Sequence, residues 1–132
     1  MDRKTARAQA MKLIYEWEMG GAGGTETRIN LLEIDPDEPE TDFMNALVEG
    51  VRHNVDAIDE QLKRHIRGWS LDRLTRVDLS ILRLAAFELM NTGISESIAI
   101  NEAVNLANLY STDKAGAFIN GILGSLARDL RE

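Results

Sequence analysis

The sequence predicts an all-α protein. Apolar residues recur at spacings of three and four through most of the chain, and no segment sustains the period-two alternation of a half-buried strand. With 132 residues, the chain suits one domain able to bury a core without covalent staples. It contains no cysteine, which excludes disulfides, thiol catalysis and thiolate metal sites. No run of about 18 apolar residues occurs and the first twenty residues lack a signal-peptide core, so a cytoplasmic location is expected.

The first helix is expected over Lys4–Met19. Ala6, Ala10, Leu13, Ile14 and Trp17 form its apolar stripe, while Lys4, Arg7, Met11 and Tyr15 line the flank. It should stop at "GGAGG", residues 20–24, which lacks the lysine that a phosphate loop requires. A short helix is expected near Thr25–Leu32. The segment "EIDPDEPETD", residues 33–42, carries Pro36, Pro39 and six acids and reads as an exposed, solubilising loop.

Residues 42–66 give one long or broken helix, with Phe43, Leu47, Val51, Val55, Ile58, Leu62 and Ile66 on one face. Gly68 closes a first subdomain of about residues 1–68, and a second spans about 69–132. In "WSLDRL", Ser70 is placed to cap a short helical turn, with Asp72 near its positive end. Leu74–Asn91 is apolar on most sides and therefore central, yet Glu88 falls inside its apolar arc. An unpaired charge there is costly, so a buried partner is favoured over a catalytic role.

A helix over residues 100–110 follows, with Ala103, Val104, Ala107 and Tyr110 inward or at its edge. The last helix, residues 111–130, buries Phe118, Ile119, Ile122, Leu123, Leu126 and Leu130 and leaves Ala117, Gly121, Gly124 and Ser125 on its other side. Each interior glycine costs about 1 kcal/mol relative to alanine. Close approach of another helix, or of a ligand's backbone, would offset that, and helix packing is the favoured reading.

The net charge of −7 conceals a local asymmetry. Residues 25–49 hold eight acids against Arg28 alone, so the remainder is neutral. Within it Arg3, Lys4, Arg7 and Lys12 gather on the first helix, and Lys63, Arg64, Arg67, Arg73, Arg76 and Arg83 near the middle. Charges beyond a Debye length of about 8 Å are screened, so a nucleic-acid binder needs a local positive field and not a basic total. The cations beside Tyr15 read either as solvated charge around a core tyrosine or as a surface that grips phosphate and stacks a base.

No catalytic pattern is present. His53 and His65 stand twelve residues apart and match no metal spacing, so neither a metal nor a cofactor is expected, and an enzyme is the weaker class. "LANLYSTDKAGAFINGIL" has the outline of a DNA-binding helix-turn-helix, but Lys114 is the only base-reading residue near the start of its second helix. Alternatively Thr112 caps that helix, its free N–H groups and Lys114 meet a phosphate, and Tyr110 and Phe118 offer aromatic surface, with Asp113 accepting from a base amino group. A protein-only helical scaffold is a further alternative.

"RKTARAQAMKLIYEWE", "WSLDRLTRVDLSILRLAAFEL" and "INEAVNLANLYSTDKAGAFINGIL", in this order in a chain of this length, resemble the NusB family of bacterial transcription antitermination factors. The resemblance covers most of the chain and is weakest over residues 20–42. It implies a seven-helix fold of two stacked helical subdomains. It further implies binding of single-stranded box A RNA in nascent transcripts, including ribosomal RNA leaders. The implied partners are NusE, a small-subunit ribosomal protein, and RNA polymerase in the antitermination complex; a homodimer is an alternative state that would mask the RNA surface. Position by position, the RNA-binding residues implied are Arg3, Lys4, Arg7, Tyr15, Tyr110, Asp113, Lys114 and Phe118. Asp78 and Ile81 are implied for NusE, although Asp78 also suits a helix-dipole acid. Thr5 stands where a further arginine is common in the family, and Ala115 replaces a frequent serine. If Arg7 is a surface contact, replacing it by Glu should weaken RNA binding and leave melting nearly unchanged.

Overall fold

The computed structural model describes residues 1–21, 24, 27–28, 32–68 and 70–132. Among them are six α-helices and one 3-10 turn, with no strand: α1 Arg3–Glu18, α2 Thr41–His53, α3 Val55–His65, the turn Leu71–Arg73, α4 Arg76–Asn91, α5 Glu96–Tyr110 and α6 Ala115–Arg131. The all-α expectation holds; among the described residues there are six helices and a turn where seven helices were expected. Most of the short helix expected near Thr25–Leu32 lies outside the described residues. No helix among the described residues is long and apolar enough to cross a membrane.

Local chemistry sets the helix ends. The Asp2 carboxylate accepts the Thr5 N–H at 2.7 Å, which caps α1 and holds the Asp2 carboxyl below its ordinary range. At the other end Gly20 turns the chain at φ 94°, in the left-handed region that glycine tolerates. The segment 42–66 breaks at Asn54, whose side-chain amide donates to the Gly50 carbonyl at 2.7 Å. Thr75 caps α4 by accepting the Asp78 N–H at 3.1 Å. Ser70 occupies the capping position of the 3-10 turn without a side-chain cap bond; Arg76 instead fastens that turn by donating to the carbonyls of Leu71 and Leu74, at 2.9 and 2.8 Å. Helix α5 starts four residues before the expected Ile100, because its first turn includes exposed Ser97 and Ile98 and shows no apolar period.

Helix α4 is central, packed by each of the other five helices. Ile81, Leu82, Leu84 and Ala86 on it are buried together with Leu13, Ile14, Leu47, Val51, Ile58, Leu62, Ile119, Leu123 and Leu126. Two sets of ion pairs tie α4 to α1 in antiparallel register. Glu88 meets Arg7 near one end, and Arg76 and Arg83 meet Glu18, at 3.2 Å each, near the other. Arg83 also forks onto Asp59 of α3 at 3.0 and 2.9 Å. Burial opposes its charge, but the Asp59 and Glu18 carboxylates outweigh that and hold the guanidinium above its ordinary value.

The glycine expectation is corrected. A Cβ at Gly121 would meet nothing within 4 Å, and at Gly124 only Arg128 of the same helix, at 3.8 Å. Close approaches occur at Gly116, where a Cβ would stand 2.9 Å from Asn108 Oδ1 of α5, and at Gly50, where it would enter the Phe87 ring. Spacing along one helix does not reveal which side a neighbour occupies. Gly50→Ala is expected to destabilise the protein by about 1–3 kcal/mol through overpacking, and Gly121→Ala to stabilise it by about 1 kcal/mol through helix propensity; urea denaturation measures both.

Candidate nucleic-acid interface

The cations of α1 divide between two sides of the helix. Arg7 is buried, and its guanidinium forks onto the equally buried Glu88, with Nε–Oε1 at 3.0 Å and Nη2–Oε2 at 3.1 Å. It is the partner that Glu88 required. Its assignment as an RNA contact is therefore corrected: the donors that would grip a phosphate are spent on a carboxylate inside the protein. Arg3 lies on the same side but remains exposed, with Nε donating to Glu40 at 3.0 Å and the guanidinium 4.2 Å from the centre of the Phe43 ring.

On the other side Lys4 is exposed, with no carboxylate of a described residue within 4 Å of its ammonium. Lys12 lies 5.1 Å from the centre of the Tyr110 ring, the last residue of α5, so α1 and the α5–α6 turn meet here. Tyr15 and Tyr110 are both exposed. A helix rises about 1.5 Å per residue, so Lys4, Lys12 and Tyr15 mark a strip of about 16 Å.

The turn is anchored from below. The Ser111 hydroxyl donates to Asp78 at 2.6 Å, linking the end of α5 to the first turn of α4. Beyond it Thr112, Asp113 and Lys114 are exposed. Thr112 does not cap α6 with its side chain: Lys114 holds the capping position, and the Ala115 N–H donates to the Thr112 carbonyl at 3.1 Å. Lys114 and half-buried Phe118 line an open groove of about 350 Å³ together with Arg73, Leu74, Thr75, Asp78, Thr112 and Ala115.

Asp78 thus borders the groove but is largely buried, with its carboxylate bonded to Ser111. Ile81 is wholly buried, and its assignment as a partner contact is corrected, because one turn along α4 carries the side chain into the core. Lys12 and Arg73 are additions to the site. Lys12 owes its place to the Tyr110 ring and Arg73 to the groove wall it shares with Lys114, neither of which local spacing encodes. The helix-turn-helix reading loses its geometry, since Ala115 and Gly116 in the first turn of α6 are buried, with Gly116 packed toward α5.

Residues 4–128 match the NusB family model. The chain belongs to the NusB family. The transcription antitermination protein NusB of Acetivibrio thermocellus is 42% identical over 130 residues, covering 97% of this chain and 90% of the relative. NusB of T. maritima superposes with a TM-score of 0.84 at 29% identity, covering 98% of this chain and 92% of its own. A NusB crystallised with NusE and double-stranded RNA gives a TM-score of 0.85 at 27% identity, covering 96% of each chain. These relatives carry the name of a regulator of transcription and not of an enzyme.

Within this NusB-family chain the Arg7–Glu88 pair reverses one expectation. Arg7→Glu would place two carboxylates together in the core, and Arg7→Met would leave Glu88 charged and alone. Either variant is expected to lose about 3–5 kcal/mol of stability in urea denaturation, with Arg7→Met/Glu88→Leu recovering most of it.

Proposed function

We propose that this chain is an RNA-binding antitermination factor that holds single-stranded box A RNA along α1 and the α5–α6 turn. The observation that carries the reading is the Lys12–Tyr110 contact, which joins the exposed cationic side of α1 to the turn bearing Asp113 and Lys114. Arg3, Lys4, Lys12 and Lys114 supply phosphate contacts. Tyr15, Tyr110 and Phe118 supply faces on which unstacked bases lie, and Asp113 accepts from a base amino group. The amino-terminal subdomain, about residues 1–68, provides one bank of this strip and the carboxy-terminal subdomain, about 69–132, the other.

NusE docks beside the RNA at the start of α4, where Arg73, Thr75 and the edge of Asp78 offer polar contacts on the groove wall away from Phe118. The solved association of a NusB with NusE and RNA in a relative of the same fold supports this pairing. Simultaneous engagement of RNA and ribosomal protein raises avidity without a conformational change. RNA polymerase is reached through that assembly, and a homodimer would compete with RNA for the same strip.

A gel-shift titration with box A and scrambled RNA, with and without NusE, tests the reading. Preference for box A, strengthened by NusE, is expected; equal retention of both RNAs under every condition overturns it. Lys4→Gln and Lys114→Gln should each make the slope of log affinity against log salt shallower by about 0.7, and Tyr110→Ala should cost about 1–3 kcal/mol of binding. Melting temperatures of the two lysine variants should stay near that of the parent, because both side chains are exposed.

A further inference from the structure

The acidic segment that separates α1 from α2 contacts the amino terminus of α1. The Met1 ammonium lies 3.1 Å from Glu38 Oε2, and Arg3 Nε lies 3.0 Å from Glu40 Oε2. These carboxylates are held in place. Ile34 is buried, the Thr41 hydroxyl donates to the Asp35 carbonyl at 3.1 Å, and the Asp35 carboxylate accepts the Asp37 N–H at 2.9 Å. Glu40 itself adopts φ 71°, a left-handed conformation that a free chain seldom visits at glutamate. The segment is thus partly pinned against α1, beyond the solubilising role its composition suggests.

Arg3 is poised between two environments. Its side chain is 61% exposed, so a phosphate can approach from solvent while the Phe43 ring supports the guanidinium. To grip that phosphate fully, however, Arg3 must release Glu40. The Met1 ammonium is likewise paired with Glu38, although the Met1 side chain is largely buried, whereas exposed Lys4 has no such partner among the described residues.

We infer that Glu38 and Glu40 are a built-in competitor for RNA, occupying the amino-terminal cations until phosphate displaces them. The inference rests on the RNA-binding reading above and assigns that site a regulator. A surface ion pair of this kind is worth up to about fivefold in an equilibrium constant, and less at high salt. The competitor acts on phosphate contacts alone. It therefore weakens box A and scrambled RNA by similar factors and keeps sequence-independent binding low, so that base contacts and the ribosomal protein decide retention.

Fluorescence anisotropy with box A and scrambled RNA oligonucleotides, with and without NusE, tests this on the full chain and on Glu38→Gln/Glu40→Gln. Affinity for both RNAs should rise about three- to tenfold at low salt and converge with that of the parent at about 0.5 M salt. Glu60→Gln/Glu132→Gln removes the same charge from α3 and the carboxy terminus and should change affinity less than twofold, by about the scale of screened remote charges. Combining the loop variant with Arg3→Gln should remove much of the gain. Equal affinity of parent and loop variant, an equal gain in the remote variant, or a full gain without Arg3 overturns the competitor while leaving RNA binding intact. Absence of binding in every variant, with NusE present, overturns the RNA reading itself and the inference with it.

Discussion

Arg7 and Glu88 meet in the interior of the protein, and a charged pair in that position restricts α1 more narrowly than apolar packing does. A hydrophobic contact tolerates a sliding or rotated helix. A fork of guanidinium on carboxylate at 3.0 and 3.1 Å loses its compensation as soon as either side chain shifts, and the desolvated charges are then unpaired. Together with the Glu18 contacts to Arg76 and Arg83 near the other end, the pair sets the register of α1 on α4. Register decides presentation: with Arg7 turned inward, Lys4 and Tyr15 face solvent, and Lys12 comes to rest on Tyr110.

Net charge describes the surface of this molecule poorly. Eight of its acids fall between Glu26 and Glu49, while exposed Lys4 and Lys114 lie outside that stretch. The two systems meet at one place, the amino terminus of α1, where Glu38 and Glu40 reach Met1 and Arg3. Acidity here is positioned against particular cations, and the α5–α6 end of the strip has no corresponding ion pair among the described residues.

Much of the architecture was legible from residue spacing. The apolar periods located the six helices in five segments, α2 and α3 as one long or broken helix, and the charged position within the apolar arc of α4 correctly demanded a buried partner for Glu88. The identity of that partner was not legible, because Arg7 lies 81 residues away and its sequence neighbours Arg3 and Lys4 are exposed cations. The same limit explains Gly121, whose small side faces open space, whereas Ile81 is implied by the family resemblance although its helical phase carries it into the core. The family resemblance supplied the candidate residues; the fold separated the exposed ones from buried Arg7 and Ile81, and set Lys12 and Arg73 beside Tyr110 and Lys114 as further candidates.

The central claim is that the inward pairing of Arg7 leaves the amino terminus of α1 and its Lys4–Tyr15 side, continuous with the α5–α6 turn, to meet RNA. Titration of the isotopically labelled protein with box A RNA, followed residue by residue by NMR, addresses it directly. The account predicts concerted shifts at Lys4, Lys12, Tyr15 and from Tyr110 to Phe118, with the Arg7 guanidinium signal retained in its paired state. Shifts confined to α3 and the exposed side of α6, or loss of the Arg7 pairing on RNA binding, would contradict it.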